Sequence, residues 1–192
     1  MSDKPDWIGL LVEHCGCPDT SSHSSYQLRI LSLGAGVQST CIFLMSCKGV
    51  LPKVHCAIFA DTGWETLATY QHLEWLEQVG KEYGIPIIRV SSGNLRDSII
   101  HCDSKRFASA PYFVKTPDGY AIGKRQCTYD FKLKPIKIKT RELLGLKYRQ
   151  RSPQGAVELW IGISIDELRR TRTYRPDRMS HVRFPLIEWT PM

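Results

Sequence analysis

The sequence predicts an α/β domain built on a single parallel sheet, and three observations carry that expectation. From Leu28 onward, short apolar runs alternate with stretches of helical periodicity, the rhythm of buried strands joined by helical crossovers. The first apolar run, Leu28 to Leu33, breaks into Gly34-Ala35-Gly36 and resumes as the amphipathic stretch Cys41-Ile42-Phe43-Leu44-Met45, a pattern of strand, tight loop and helix. The 192 residues, 42% apolar and 23% charged, suit one domain with a sizeable core and exclude a disordered chain.

Taken in order, strand one covers 28–33 and its helix 37–48, closing at Gly49. Strand two, Val54 to Ala60, leads into the polar turn Asp61-Thr62-Gly63-Trp64-Glu65. The helix over 66–82 turns Leu67, Tyr70, Leu73, Leu76 and Val79 inward, with Gly84 and Pro86 punctuating its end. Strand three is Ile85 to Val90, a short helix runs from Gly93 to Ile100, and 103–123 reads as a long loop of the kind that serves as a lid. Pro135 fits the first turn of a helix with Ile136, Thr140, Leu143 and Leu144 inward and Gly145 as its stop, although Ile136 to Lys139 also alternates like a strand. Strand four is Val157 to Ile163. A charged loop, Asp166 to Arg178, and an extended piece, Val182 to Ile187, follow it. Thr190-Pro191 then reads as an N-cap and first-turn proline, so another helix is expected to begin where the sequence stops.

Residues 1–26 form an N-terminal extension, and 27–192 form the domain. His14, Cys15, Cys17 and His23 are soft ligands, but Cys-x-Cys is not zinc-knuckle spacing and no second pair follows. There is no apolar run long enough to span a membrane, and Met1 to Asp6 lacks the order of a signal peptide; a cytoplasmic protein with no membrane partner is expected. The seven cysteines are odd in number and irregularly spaced, which fits reduced thiols, most of them small core residues. The formal charge of +7 is concentrated, with ten Lys and Arg between Lys124 and Arg151 against Asp130 and Glu142. Such a block implies a phosphate- or sulfate-bearing ligand, or nucleic acid.

The turn after strand one sets the chemistry. Small residues let a ligand approach the backbone, and the N–H groups at the start of the next helix favour an anion, usually a phosphate. In a dinucleotide reading, Gly34 and Gly36 cradle a pyrophosphate and Asp61 holds a ribose, but Ser39 stands where a third glycine belongs. The Gly-Lys-Ser/Thr of a P-loop is absent. Gly34-Ala35-Gly36-Val37-Gln38-Ser39 resembles the Ser-Gly-Gly-x-Asp-Ser loop of the PP-loop ATP pyrophosphatase superfamily, keeping the closing serine but not the leading serine or the aspartate. Asp61-Thr62-Gly63 is similar to the Asp-Thr-Gly of the phosphoadenylylsulfate (PAPS) reductase branch. So are Cys127 to Pro135, beside its Cys-x4-Lys-x-x-Pro, and Gly162 to Glu167, beside its Gly-x-Arg-x-x-Glu with Ser164 at the arginine position. Phe184 to Thr190 resembles its Tyr-Pro-Leu-x-Asp-Trp-Thr. The wording is closest to the PAPS reductase-like proteins frequent in phages and prophages.

The resemblance implies a three-layer, adenine nucleotide alpha hydrolase-like fold without the branch's C-terminal segment. It implies nucleotide binding by Ser32, Gly34, Ala35, Gly36, Gln38, Ser39, Asp61, Thr62, Gly63, Gly162, Ser164, Glu167 and Arg170, and catalysis by Lys132, Arg125 and Cys127. Arg125, Lys132 and Lys134 supply positive charge to the transferring and leaving oxygens, with Mg²⁺ as a companion held mainly by the phosphates. Gln38 in place of the aspartate removes a charge, so binding at this loop is a firmer expectation than metal-assisted cleavage. Trp64 is a candidate to stack on a base. Lys124 and Arg125 favour the Cys127 thiolate, yet no cysteine follows Cys127 to match the reductases' C-terminal one. Gln126 replaces the first of the paired cysteines of the iron–sulfur members, so a cluster from this chain alone is not expected.

Three functions follow from these residues. The first is cleavage of ATP between the α- and β-phosphates to adenylate an unidentified acceptor. The second is a sulfonucleotide (PAPS or APS) reductase relative. The third is a catalytically impaired nucleotide binder, or a nucleic-acid-binding module using 124–151.

Overall fold

The computed structural model describes residues 26–100, 113–117, 119–122, 127–174 and 177–189, without the side chains of 113, 114, 121, 122 and 173. Its centre is a five-stranded sheet in the order β3-β2-β1-β6-β7, formed by β1 (Leu28–Leu33), β2 (Cys56–Asp61), β3 (Ile87–Ser91), β6 (Val157–Ile161) and β7 (Ser180–Arg183). Every neighbouring pair is parallel. Parallel strands need crossovers, so both faces are covered and the inner strands are apolar on both sides. The β2 run Cys-Ala-Ile-Phe-Ala is buried throughout.

On one face, Leu31, Leu33, Phe59 and Trp160 pack against Ile42 and Phe43 of α1 (Val37–Cys47) and Leu73 and Leu76 of α2 (Leu67–Tyr83). On the other, Ile30, Ile58, Ala60 and Val157 pack against Ile136 of α4 (Lys134–Leu143) and Met179. Burying each such side chain contributes roughly 1.5–3 kcal/mol, which gives the three layers their cohesion. The ends of α2 follow its sequence: Thr66 accepts a hydrogen bond from the Thr69 N–H as N-cap, and Gly84 takes φ 66° at the C-cap. Leu67 of that helix is 73% exposed and not inward, because it sits in the first turn, ahead of the contact with the sheet. Leu143 is likewise exposed at the far end of α4.

Four expectations change. Within the expected 103–123 loop, β4 (Phe113–Thr116) pairs antiparallel with β5 (Gly119–Ile122), so Pro117 and Gly119 mark a hairpin and not an open loop, while 103–112, 118 and 123 lie outside the described residues. The Asp166–Arg178 stretch is not all loop, since Ile165–Thr173 forms 3₁₀ turns on either side of a kink at Glu167 (φ −104°, ψ 18°). The extended piece ends early at Arg183, and α5 (Pro185–Trp189) begins at a first-turn proline, with the Ile187 and Glu188 N–H groups donating to the Phe184 carbonyl. Strand three starts at Ile87 rather than Ile85, whose N–H instead closes α2 on the Gly80 carbonyl. The helical reading of 134–143 holds over its strand alternative. It follows a π-helical turn, Tyr129–Leu133; α3 is Leu95–Ile100.

Candidate functional site

In this strand order β1 lies between β2 and β6. The chain leaves β1 towards β2 and β3 on one side and returns on the other as β6. The point where direction reverses is therefore the gap between β1 and β6 at the carboxyl edge, where open α/β sheets bind ligands. The Gly34–Ser39 turn sits at that gap. Gly36 is the N-cap of α1 and supplies no side-chain cap, so the first N–H groups of the helix are left for a ligand. Ser39 closes the turn: its hydroxyl accepts from the Gly34 N–H at 3.2 Å and donates to the Gly36 carbonyl at 3.2 Å. Ala35 adopts φ 53°, a left-handed conformation that costs a side chain about 1–2 kcal/mol.

Gly162, just past the end of β6, faces this turn from the other side. A Cβ on Gly162 would stand 2.7 Å from the Ser39 nitrogen and 3.0 Å from the Gln38 carbonyl carbon, so only glycine permits this approach of backbone to backbone. Gln38 ties the same two segments by side chain. Its amide nitrogen donates to the Ser164 hydroxyl at 2.7 Å and to the Glu167 carboxylate at 2.8 Å. Glu167 in turn receives Arg170 at 2.6 and 2.7 Å. The Arg170 guanidinium, and then the Gln38 amide, hold the Glu167 carboxyl below the usual carboxylate range.

The π-helical turn delivers the opposite wall. A cleft of about 410 Å³ opens between the loop and this turn, bordered by Gly34, Gln38, Thr62, Cys127, Lys132 and Arg170. Ser32, Gly36, Ser39 and Gly162 line it as well. Lys132 contacts Glu65 at 3.3 Å, and Glu65 also accepts from the Thr62 hydroxyl at 3.0 Å. Both cations of the wall therefore rest on carboxylates, Lys132 on Glu65 and Arg170 on Glu167. Beside the cleft a second cavity of about 180 Å³, mainly apolar, shares Ser32, Leu133, Ile136, Ile161 and Tyr174 with it.

Other expected site residues lie elsewhere. The Asp61 carboxylate is turned into its own turn, accepting from the Gly63 N–H at 2.8 Å and the Tyr70 hydroxyl at 2.8 Å. Gly63 (φ 68°) shapes that turn against Asn94. Ser164 and Glu167 act through Gln38 and Arg170 and do not border the cleft. Trp64 is half-exposed and does not line the cleft. Arg125, Lys124 and the His14, Cys15, Cys17 and His23 group fall outside the described residues. Spacing missed Glu65 and Tyr174. Glu65 had a signal, as the last acidic residue of the polar turn ahead of the Thr66 cap; Tyr174 had none, because its place depends on how the 3₁₀ helix returns to the sheet.

Among the described residues no group of three or more His, Cys, Asp or Glu side chains converges to hold a metal ion. No described helix is long and apolar enough to cross a membrane. No protein-family model matches the chain, and no curated protein matches it. Among solved structures, the chain is similar to the U34-tRNA thiolase NcsA from Methanococcus maripaludis with its [4Fe-4S] cluster, at 14% identity and a TM-score of 0.47. The match covers 84% of this chain and 53% of that one, so the chain spans about half the length of that enzyme.

Proposed function

We propose that the chain is a PP-loop-type adenine-nucleotide enzyme that cleaves ATP between the α- and β-phosphates to adenylate an acceptor. One observation carries this reading: the Gly34–Ser39 turn and Gly162 meet at the β1/β6 gap, with Lys132 and Arg170 on the walls of the same cleft. The helix N–H groups and the turn bind the phosphates. The acceptor attacks the α-phosphorus, the bond to the α,β-bridging oxygen breaks, and pyrophosphate leaves with the electron pair while the acceptor proton passes to solvent. Lys132 and Arg170 turn from Glu65 and Glu167 towards the phosphates and offset charge on the leaving group. Mg²⁺ would supply further charge neutralisation. It would be held mainly by the phosphates themselves, since Glu65 and Glu167 are engaged by Lys132 and Arg170 and do not line the cleft.

The test is twofold. Titration with ATP reads binding, and incubation with ATP, Mg²⁺ and an acceptor panel reads pyrophosphate release. Lys132→Ala is expected to lower release about 10²-fold while changing ATP affinity much less. Binding without release across a broad panel counts against catalysis, and no binding at all counts against the site. A second reading, sulfonucleotide binding, draws support from Cys127 on the cleft wall. It requires PAPS to bind more tightly than ATP in the same titration.

A further inference from the structure

The outer face of α4 is basic. Pro135, Ile136 and Thr140 are buried, while Lys134, Lys137, Ile138 and Arg141 recur at helical spacing on the solvent side. These four form a stripe about 10 Å long. Gly145 (φ 68°) stops the helix, and the chain turns through Lys147-Tyr148-Arg149-Gln150-Arg151. From Lys134 to Arg151 there are seven Lys and Arg against a single acidic residue, Glu142, which pairs with Lys139 at 3.0 Å. Lys137 pairs with Asp177. Among the described residues, Lys134, Lys147, Arg149 and Arg151 make no ion pair.

The loop is built, not slack. Arg141 donates to the carbonyls of Lys147 at 3.2 Å and Gln150 at 2.7 Å, and the Lys147 N–H donates to the Gln150 side chain at 2.9 Å. This frame holds Tyr148 88% exposed, with the Arg149 guanidinium 5.3 Å from its ring centroid. The ring and Arg149 border a shallow depression of about 650 Å³ that also contains Ile138 and Arg141. The ring thus faces water on a loop framed by Arg141, Lys147 and Gln150, with the Arg149 guanidinium beside it.

We propose that this face binds single-stranded nucleic acid. The unpaired cations select a polyanion. The presented ring, with a guanidinium beside it, adds a stacking platform that a plain polyanion does not use, and stacking needs a base free of its partner strand. The Tyr148 loop follows the last turn of α4, whereas the cleft is lined by Lys132, Leu133 and Ile136 around its start and shares no lining residue with the depression beside Tyr148, so the two are tested separately.

The test is fluorescence anisotropy on the full chain with labelled oligo-U and oligo-dT of about a dozen nucleotides, and a duplex of equal length. The expected result is single-strand binding whose log affinity falls with log salt at a slope of about −2 to −3, as for three or four phosphate contacts. Tyr148→Ala weakens it at least fivefold at unchanged slope. The double substitution Lys147→Gln and Arg149→Gln flattens the slope by about 1.4 units. Both variants lie on the surface and keep the parent melting temperature and ATP titration, which reads the cleft separately. Comparison of oligo-U with oligo-dT assigns the sugar. No binding, a Tyr148→Ala variant that binds as tightly as the parent, or stronger binding to duplex or to phosphatidylserine vesicles each overturns the proposal.

Discussion

Gly162 and Ala35 bracket the phosphate turn, and they make opposite demands on a side chain. Gly162 allows backbone from β6 to lie against the Ser39 nitrogen, and the methyl group of Gly162→Ala would have to displace that backbone by several tenths of an ångström. The substitution is expected to cost about 1–3 kcal/mol of stability and to abolish measurable ATP binding, seen by thermal melting and calorimetric titration together. Retained binding would remove the turn from the site. Ala35 carries a methyl group in a left-handed conformation that glycine adopts freely. Ala35→Gly is expected to raise stability by about 0.5–1 kcal/mol, because relief of the native strain exceeds the extra freedom gained by the unfolded chain. A denaturant midpoint that falls instead would show that the methyl contact matters more than the strain.

At the level of elements, the sheet is fastened at the amino end by charge as well as by apolar packing. Register puts Arg29 of β1 opposite Glu158 of β6, and Arg183 of β7 opposite Trp160. Glu158 is 4% exposed and contacts Arg29 directly and Arg183 at 3.5 Å. Both guanidiniums lie over the buried Trp160 ring, at 5.5 and 5.6 Å. Arg29→Met keeps the side-chain stem and leaves a buried carboxylate with only its weaker partner. It is expected to destabilise the fold by about 2–4 kcal/mol, while Arg29→Lys loses less. Urea unfolding of the pair measures the difference; equal loss from both would assign the effect to packing on Trp160. Neither substitution touches the cleft, so ATP affinity in the folded protein should stay unchanged.

Across the whole molecule, the thiols report which parts are core and which are cleft. Burial pushes Cys47 and Cys56 up to about 11 and raises Cys41 as well, so these three carry almost no thiolate at neutral pH. Cys127 lines the cleft and is only partly buried. Among these four, iodoacetamide at about pH 8 is expected to alkylate Cys127 first, and saturating ATP should slow it severalfold, as read by peptide mass mapping. Alkylation of Cys127 at the same rate with and without ATP would place the nucleotide away from this wall.

Taken by itself, the sequence determined the alternation of strands and helices, the turn at Gly34–Ser39, and the short stretches around Thr62, Cys127, Lys132 and Gly162. Each depends on local periodicity, turn chemistry or small residues, which are written in neighbouring positions. The pairing of β4 with β5 and the helix at Pro185 were also written there, as a Pro-Asp-Gly sequence and a first-turn proline, under loop-like and strand-like composition. Tertiary structure alone decided that β6 lies beside β1, and so that Gly162 meets Ser39 and Gln38 reaches Ser164 and Glu167. It also decided which polar groups remain for a ligand. Asp61 is bound to Gly63 and Tyr70, the Ser39 hydroxyl to its own turn, and Lys132 to a glutamate that no spacing rule singled out. The physical reason is that a side chain's hydrogen-bond partners are settled by competition among groups brought together in space, and that competition leaves no periodic trace along the chain.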